Sequence, residues 1–231
     1  VVVSTVAKKD AKETIKALEL GAFDFVTKPE NFIETKSDSF KEKLLSIIEV
    51  ASSSSNRTKT YTTYKERPRD TTKSTEQTAR ISSLQRPRTA PGAFKAESYR
   101  GVKSNQNKIV ALATSTGGPK SLQDVIPYLP ANLDAAVVLV QHMPKGFTAS
   151  LASRLNDLSK VKVKEAAHGD VIEKGCVYIA PGGSQMRIAK SGSLHKIVIT
   201  DEPARGGLKP CADIMYESLT ESGFDDITCV V

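Results

Sequence analysis

Apolar positions along the chain follow two periods. Residues 1–4 and 23–26 are short β-branched or aromatic runs that predict strands, and between them Ala7, Ala11, Ile15, Leu18 and Ala22 recur at helical intervals. Gly21 marks the end of that helix. Ser39-x-x-Glu42 is a capping-box pattern, opening a helix that carries Phe40, Leu44, Ile47 and Ile48. The pattern then lapses and restarts after Asn107. Residues 109–113, 135–140, 161–166 and 176–180 read as strands. Residues 117–129, with Leu122, Val125, Ile126 and Leu129 on one face, and a stretch marked by Phe147, Leu151, Leu155 and Leu158 read as helices. Residues 186–189 and 196–200 predict a hairpin around Ser191-Gly192-Ser193, and a helix over 212–221 precedes a closing apolar strand. Strands alternating with helices predict an α/β fold with a doubly wound, largely parallel sheet.

The interval between the two patterned blocks is rich in Ser, Thr, Lys, Arg and Pro, and its aliphatic residues are Ile81, Leu84 and Val102. It buries too little apolar surface to offset chain entropy, so residues 51–106 are expected to be a disordered linker between two folded parts, 1–50 and 107–231. Residues 51–107 hold 12 Lys and Arg against 4 Asp and Glu, a net +8 within a chain of formal charge +7. The basicity therefore belongs to the linker. With no folded basic surface and no helix-turn-helix after the linker, a nucleic-acid-binding reading fails. Fifty residues are too few for a complete α/β domain, so the first block reads as the back end of one. Both termini fall inside strand patterns, and the chain is expected to be cut at both ends. No apolar run reaches the ~20 residues of a membrane span, and the first residues are not a signal peptide. Cys176, Cys211 and Cys229 have neither disulfide-framework nor zinc spacing; they read as small buried residues of a protein in a reducing cytoplasm.

Sites in doubly wound sheets form at the C-terminal ends of strands. The strand over 109–113 runs into Thr114-Ser115-Thr116-Gly117-Gly118, and the strand over 135–140 runs into Gln141-His142-Met143-Pro144. Ala113-x-Ser115-x-Gly117 is a nucleophile-elbow pattern with Ala for its first Gly. A sharp strand-to-helix turn would push the Ser115 hydroxyl outward, and the helix N-terminus would offer N–H groups to a developing oxyanion. A helix-capping Ser is the plain alternative. A phosphate loop over Gly117-Gly118-Pro119-Lys120-Ser121 fails on spacing and on the N–H that Pro119 lacks. His142 lies one βαβ step from Ser115, where it can serve as general base. Asp170, Asp201 and Asp213 are available acids, but none ends a further parallel strand. His168 and His195 read as surface residues, and no His, Asp or Glu cluster has metal spacing.

Three motifs, Ala113-Thr114-Ser115-Thr116-Gly117-Gly118-Pro119, Gln141-His142-Met143-Pro144-Lys145-Gly146-Phe147-Thr148 and Tyr178-Ile179-Ala180-Pro181-Gly182-Gly183, together resemble the catalytic domain of the chemotaxis protein-glutamate methylesterases (CheB type). Residues 17–29, reading Ala-Leu-Glu-Leu-Gly-Ala-Phe-Asp-Phe-Val-Thr-Lys-Pro, resemble the end of that family's receiver domain. The resemblance implies a Rossmann-like catalytic sheet, incomplete here, preceded by the last part of a flavodoxin-like receiver. It implies a cytoplasmic serine hydrolase that cleaves glutamate methyl esters, and deamidates glutamines, on chemoreceptors. Ser115 matches the family's nucleophile, His142 its base, and Thr116 the residue whose N–H faces the oxyanion, in the turn completed by Gly117 and Gly118. Ser4 matches the receiver's switch hydroxyl, Phe25 its switch aromatic and Lys28 its phosphoryl-contacting lysine. No cofactor is implied for catalysis. Mg²⁺ is implied only for phosphorylation of a complete receiver by the chemotaxis histidine kinase, because the acceptor Asp and acidic pocket would lie before Val1. The triad Asp would lie beyond Val231, so Asp170, Asp201 and Asp213 are not that residue, and the 231-residue chain by itself is expected to be inactive. The competing reading is a non-catalytic signalling adaptor, which would have no need of Ser115 or His142.

Overall fold

The structure, a computed structural model, describes residues 1–5, 8–29, 37–55 and 108–231. Strand β1 (Val2–Ser4) and strand β2 (Phe25–Thr27) pair in parallel across helix α1 (Lys8–Glu19). Gly21, at φ 109°, lets the chain leave α1, and the Ala22 N–H returns to the Ala17 carbonyl at 3.0 Å. Helix α2 (Asp38–Ser55) starts before the expected capping box. The Phe40 N–H donates to Ser37 Oγ at 3.4 Å, so Ser37 caps the helix and Ser39 lies inside its first turn. The helix also runs five residues into the expected linker. The Ser52 and Ser53 hydroxyls donate to the Glu49 carbonyl at 2.8 and 2.9 Å, which reconciles a serine run with helical backbone. The rest of that segment, 56–106, lies outside the described residues.

The second block is built on five parallel strands: β3 (Lys108–Thr114), β4 (Ala136–Gln141), β5 (Lys162–Glu165), β6 (Cys176–Ile179) and β9 (Asp226–Val230), in the order β5-β6-β4-β3-β9. The chain enters at β3, moves out through β4 to the β5 edge, and returns on the far side of β3. The strand order thus reverses at the strand that leads into Ser115. Helices α3 (Gly118–Val125) and α4 (Phe147–Leu158) cover one face. The antiparallel hairpin of β7 (Gln185–Ser191) and β8 (Leu194–Thr200), with helix α5 (Ala212–Thr220), covers the other.

Alternation along β4 divides the core. Val137 and Leu139 join Leu122, Ile126, Phe147, Leu151 and Leu155, while Ala136, Val138 and Val140 join Met186, Ile188, Ile197 and Met215. Covered on both faces, β4 is buried throughout, as its apolar run requires. Ala11, Ile15, Leu18 and Phe25 of the first block extend the α3–α4 side of this core.

Three other expectations change. The helix expected over 117–129 stops at Val125 and tightens into a 3₁₀ turn (Ile126–Tyr128), because Pro127 has no N–H to continue the ladder; Val125 is exposed. His195, expected at the surface, is buried. It is stacked on Phe224 at 3.8 Å between centroids, with Nε2 at 2.9 Å from the Ser222 carbonyl, because the inner face of β8 turns it towards the α5 layer. Cys176 and Cys211 are buried as expected, whereas Cys229 is exposed on β9, at the sheet edge.

Candidate active site

Ser115 follows the last residue of β3 and His142 follows the last residue of β4. Those strands are in parallel register, Thr114 beside Gln141, so the two loops leave the sheet side by side. The His142 N–H reaches the Thr114 carbonyl at 3.2 Å. Ser115 Oγ then lies 3.1 Å from His142 Nδ1. Ser115 and Thr116 are exposed, and His142 is half-buried. Burial lowers the His142 pKa from the ordinary 6.5, which keeps the ring neutral and able to accept a proton near pH 7. His142 Nε2 is buried with no hydrogen-bond partner among the described residues. Asp170 is bound to Lys164 at 2.7 Å and to the Ala167 N–H at 2.8 Å, and Asp201 to Lys209 at 2.6 Å. Asp213 is exposed in the first turn of α5. None of the three carboxylates orients this imidazole.

Gly117 adopts φ 75° at the start of α3, a left-handed turn that an L side chain would strain. The helix N-terminus, expected to offer N–H groups to an oxyanion, has those of the two glycines already engaged. Gly118 N–H donates to the Ser115 carbonyl at 2.9 Å, and Gly117 N–H donates to Asp24 Oδ2 at 2.7 Å. Asp24 comes from the first block, just before β2. Its other oxygen accepts the Phe25 N–H at 2.8 Å, and burial raises its pKa above 3.8 even though both N–H groups pull the other way. The Phe23 ring covers Gly117, 3.3 Å from where a Cβ would stand. Phe25 stacks on Phe147 at 4.8 Å between centroids, and Glu19 pairs with Arg154 on α4. The first block is thus packed against the turn that follows Ser115. Among the described residues the Thr116 N–H has no partner.

The third motif supports the His142 loop. A Cβ on Gly182 would lie 2.5 Å from the carbonyl oxygens of both Met143 and Pro144, so only glycine allows this turn to press on the His142 loop. The Gly182 N–H also donates to Thr148 Oγ1 at 3.0 Å, at the start of α4. Gln185, nearby, accepts the Cys211 N–H at 2.7 Å and donates to the Pro203 and Leu208 carbonyls, each at 3.2 Å.

Ser4 and Lys28 sit on a different surface. They line a cavity of about 280 Å³ together with Val2, Val3, Thr5, Glu13 and Thr14. Ser4 Oγ accepts the Thr14 hydroxyl at 2.6 Å. Glu13 is the one carboxylate in that lining, and among the described residues no group of three His, Cys, Asp or Glu could hold a metal. No described helix is long and apolar enough to cross a membrane.

Two contacts at the Ser115 turn escaped the sequence. Asp24 lies 93 residues from its Gly117 partner, beyond any local pattern. Gln141 had a signal, a polar residue ending an otherwise apolar strand, but its partners were not legible.

The CheB methylesterase family model matches residues 110–231. The chain is 39% identical to protein-glutamate methylesterase/protein-glutamine glutaminase 1 of Syntrophomonas wolfei over its whole length, spanning 60% of that relative. It is 40% identical to the Bacillus subtilis protein-glutamate methylesterase/protein-glutamine glutaminase, over 95% of this chain and 56% of that one. The chain therefore spans less than two thirds of the length of these relatives. The solved catalytic domain of the Thermotoga maritima CheB methylesterase superposes with a TM-score of 0.52 at 36% identity, over 54% of this chain and 67% of that one. With the match running from β3 through β9 and taking in Ser115, His142 and the turn at Gly182, the chain belongs to the CheB methylesterase family.

Proposed function

We propose that this chain carries the nucleophile and base of a cytoplasmic serine hydrolase that cleaves glutamate γ-methyl esters, and glutamine side-chain amides, on chemoreceptors. The observation that carries the reading is the 3.1 Å approach of Ser115 Oγ to His142 Nδ1 at adjoining strand ends, in a chain whose relatives are named for this chemistry. His142 takes the Ser115 proton as Oγ attacks the γ-carbonyl carbon. The Thr116 N–H faces the resulting oxyanion. Collapse returns the proton to the leaving group, releasing methanol from an ester or ammonia from an amide, and leaves an acyl-serine. Water, deprotonated by His142, then hydrolyses the acyl-serine to the glutamate carboxylate. A carboxylate at His142 Nε2 would complete the triad, supplied by sequence other than Asp170, Asp201 and Asp213.

The first block is proposed to be the last part of a response-regulator receiver. In that reading Ser4 is the switch hydroxyl, Phe25 the switch aromatic and Lys28 the phosphoryl contact, and a chemotaxis histidine kinase donates the phosphoryl group. Mg²⁺ would neutralise phosphoryl charge when bound, but the residues lining the Ser4–Lys28 cavity do not form a divalent-cation site on their own. Support for control by this block comes from Asp24 and Phe23 lying on Gly117, and from Phe25 lying on Phe147 at the start of α4.

The pair is tested by fluorophosphonate labelling, followed by peptide mass spectrometry, of a chimera in which this chain replaces the matching region of the Syntrophomonas wolfei relative. The adduct is expected on Ser115, and His142→Ala should slow labelling by about 100-fold or more, the worth of a general base. Labelling elsewhere, or at an unchanged rate in His142→Ala, overturns the assignment.

A further inference from the structure

We propose that Gln141 is a positioning residue for the Ser115–His142 pair, its carboxamide holding the nucleophile's turn and the base's loop in one hydrogen-bonded unit. The inference rests on the reading of Ser115 as nucleophile and His142 as base.

The main-chain ladder between β3 and β4 ends at Thr114 and Gln141. Beyond it one chain turns into α3 and the other into the loop that leads to α4; the His142 N–H still reaches the Thr114 carbonyl at 3.2 Å, but no backbone hydrogen bond joins Ser115 to His142. The Gln141 side chain takes over at that point. Thr114 Oγ1 donates to Gln141 Oε1 at 2.6 Å. Gln141 Nε2 donates to the Ser115 carbonyl at 3.0 Å and to the His142 carbonyl at 3.3 Å. The orientation of the amide is forced. Two carbonyl oxygens can only accept, so they face the NH₂, and the hydroxyl serves the remaining oxygen. Gln141 is 1% exposed, and water does not compete for these groups.

Gly118 points to the same role independently. A Cβ there would lie 2.1 Å from Gln141 Oε1, 2.7 Å from Thr114 Cβ and 3.0 Å from Thr114 Oγ1. The glycine next to Gly117 is therefore set by the space the Gln141 amide occupies. Ser115 leads into the turn held by Asp24 and His142 into the loop held by Gly182, and the Gln141 amide is the side chain that bonds to both residues, so its hydrogen bonds bear on their separation. A shift of about 1 Å between reacting groups is enough to cost ~100-fold in rate.

The test measures, in the same chimera, the maximal rate and the half-saturation of fluorophosphonate labelling in Gln141→Glu, Gln141→Met and Thr114→Val. Gln141→Glu keeps the shape and turns an oxygen towards two carbonyls. Gln141→Met keeps the volume and removes every hydrogen bond. Thr114→Val removes one bond and leaves the other two. The maximal rate should fall about 10- to 100-fold in both Gln141 variants and less in Thr114→Val, with half-saturation unchanged. Thr114→Ser, which keeps the hydroxyl, should restore the rate. A unit that only stabilises the fold would lower the melting temperature and leave the maximal rate of the folded fraction intact, and that result overturns the proposal. If neither Gln141 variant folds, an unchanged maximal rate in Thr114→Val overturns it equally. Absence of any Ser115 adduct in the unaltered chimera would instead overturn the assignment of the pair.

Discussion

Replacing Asp24 by Ala should release the first block from the turn that follows Ser115. In the packed arrangement the Gly117 N–H is buried against Asp24 Oδ2 at 2.7 Å, and the variant leaves it without an acceptor. Once the block moves away, water serves that N–H. The Phe25 N–H loses its acceptor as well, but it belongs to the block itself and weighs less on docking. A buried backbone N–H left unpaired costs about 1–3 kcal/mol, so the docked-to-open ratio should fall about 5- to 150-fold. Hydrogen exchange read by NMR reports this at the Gly117 amide, with the amide of Leu139, buried in β4, as the gauge of global stability. Gly117 should exchange faster by that factor in Asp24→Ala, beyond any change at Leu139. Equal changes at the two amides would mean that Asp24 stabilises the whole fold and not the docking of the first block. The pH dependence has a fixed sign. Burial raises the Asp24 pKa above 3.8 in the docked state, so proton uptake favours docking. After correction for intrinsic exchange, protection at Gly117 should be greatest at acid pH and decline as pH rises through the docked pKa. Asp24→Ala should lose that dependence.

Two further outcomes follow from the geometry. The His142 pKa is lowered by burial, so the acid limb of a labelling or rate profile should fall below pH 6.5; a limb above 6.5 would contradict the neutral half-buried base. Phe147 is fully buried and stacked on Phe25, and Phe147→Ala should cost about 3–5 kcal/mol in urea denaturation, with a loss below ~1 kcal/mol counting against a shared core between the first block and α4.

The order of elements was legible because each strand and helix carries its own period. The β4 run is apolar on both faces and admits no other burial, and the helix from Phe147 keeps a clean stripe through Leu155. Ser115 and His142 were legible for a topological reason, since one βαβ step places consecutive strand ends side by side. What escaped depended on partners distant in sequence. His195 is a polar residue next to the hairpin turn, and only the packing of the hairpin onto Phe224 reveals its burial. Asp24 is indistinguishable in sequence from a solvated turn residue, because what holds it is a backbone N–H with no side-chain signature. The helical run to Ser55 was hidden because serine hydroxyls bonding back to Glu49 offset a poor intrinsic propensity.

Hydrolysis of glutamate methyl esters by Ser115 and His142 together is the proposed activity. Its most direct test is methanol release from a methylated chemoreceptor by a chimera in which this chain replaces the matching region of the Syntrophomonas wolfei relative, which spans the chain's full length. The chimera should release methanol, and the release should be lost in both Ser115→Ala and His142→Ala with the melting temperature unchanged. Methanol release that persists in either folded variant would contradict it.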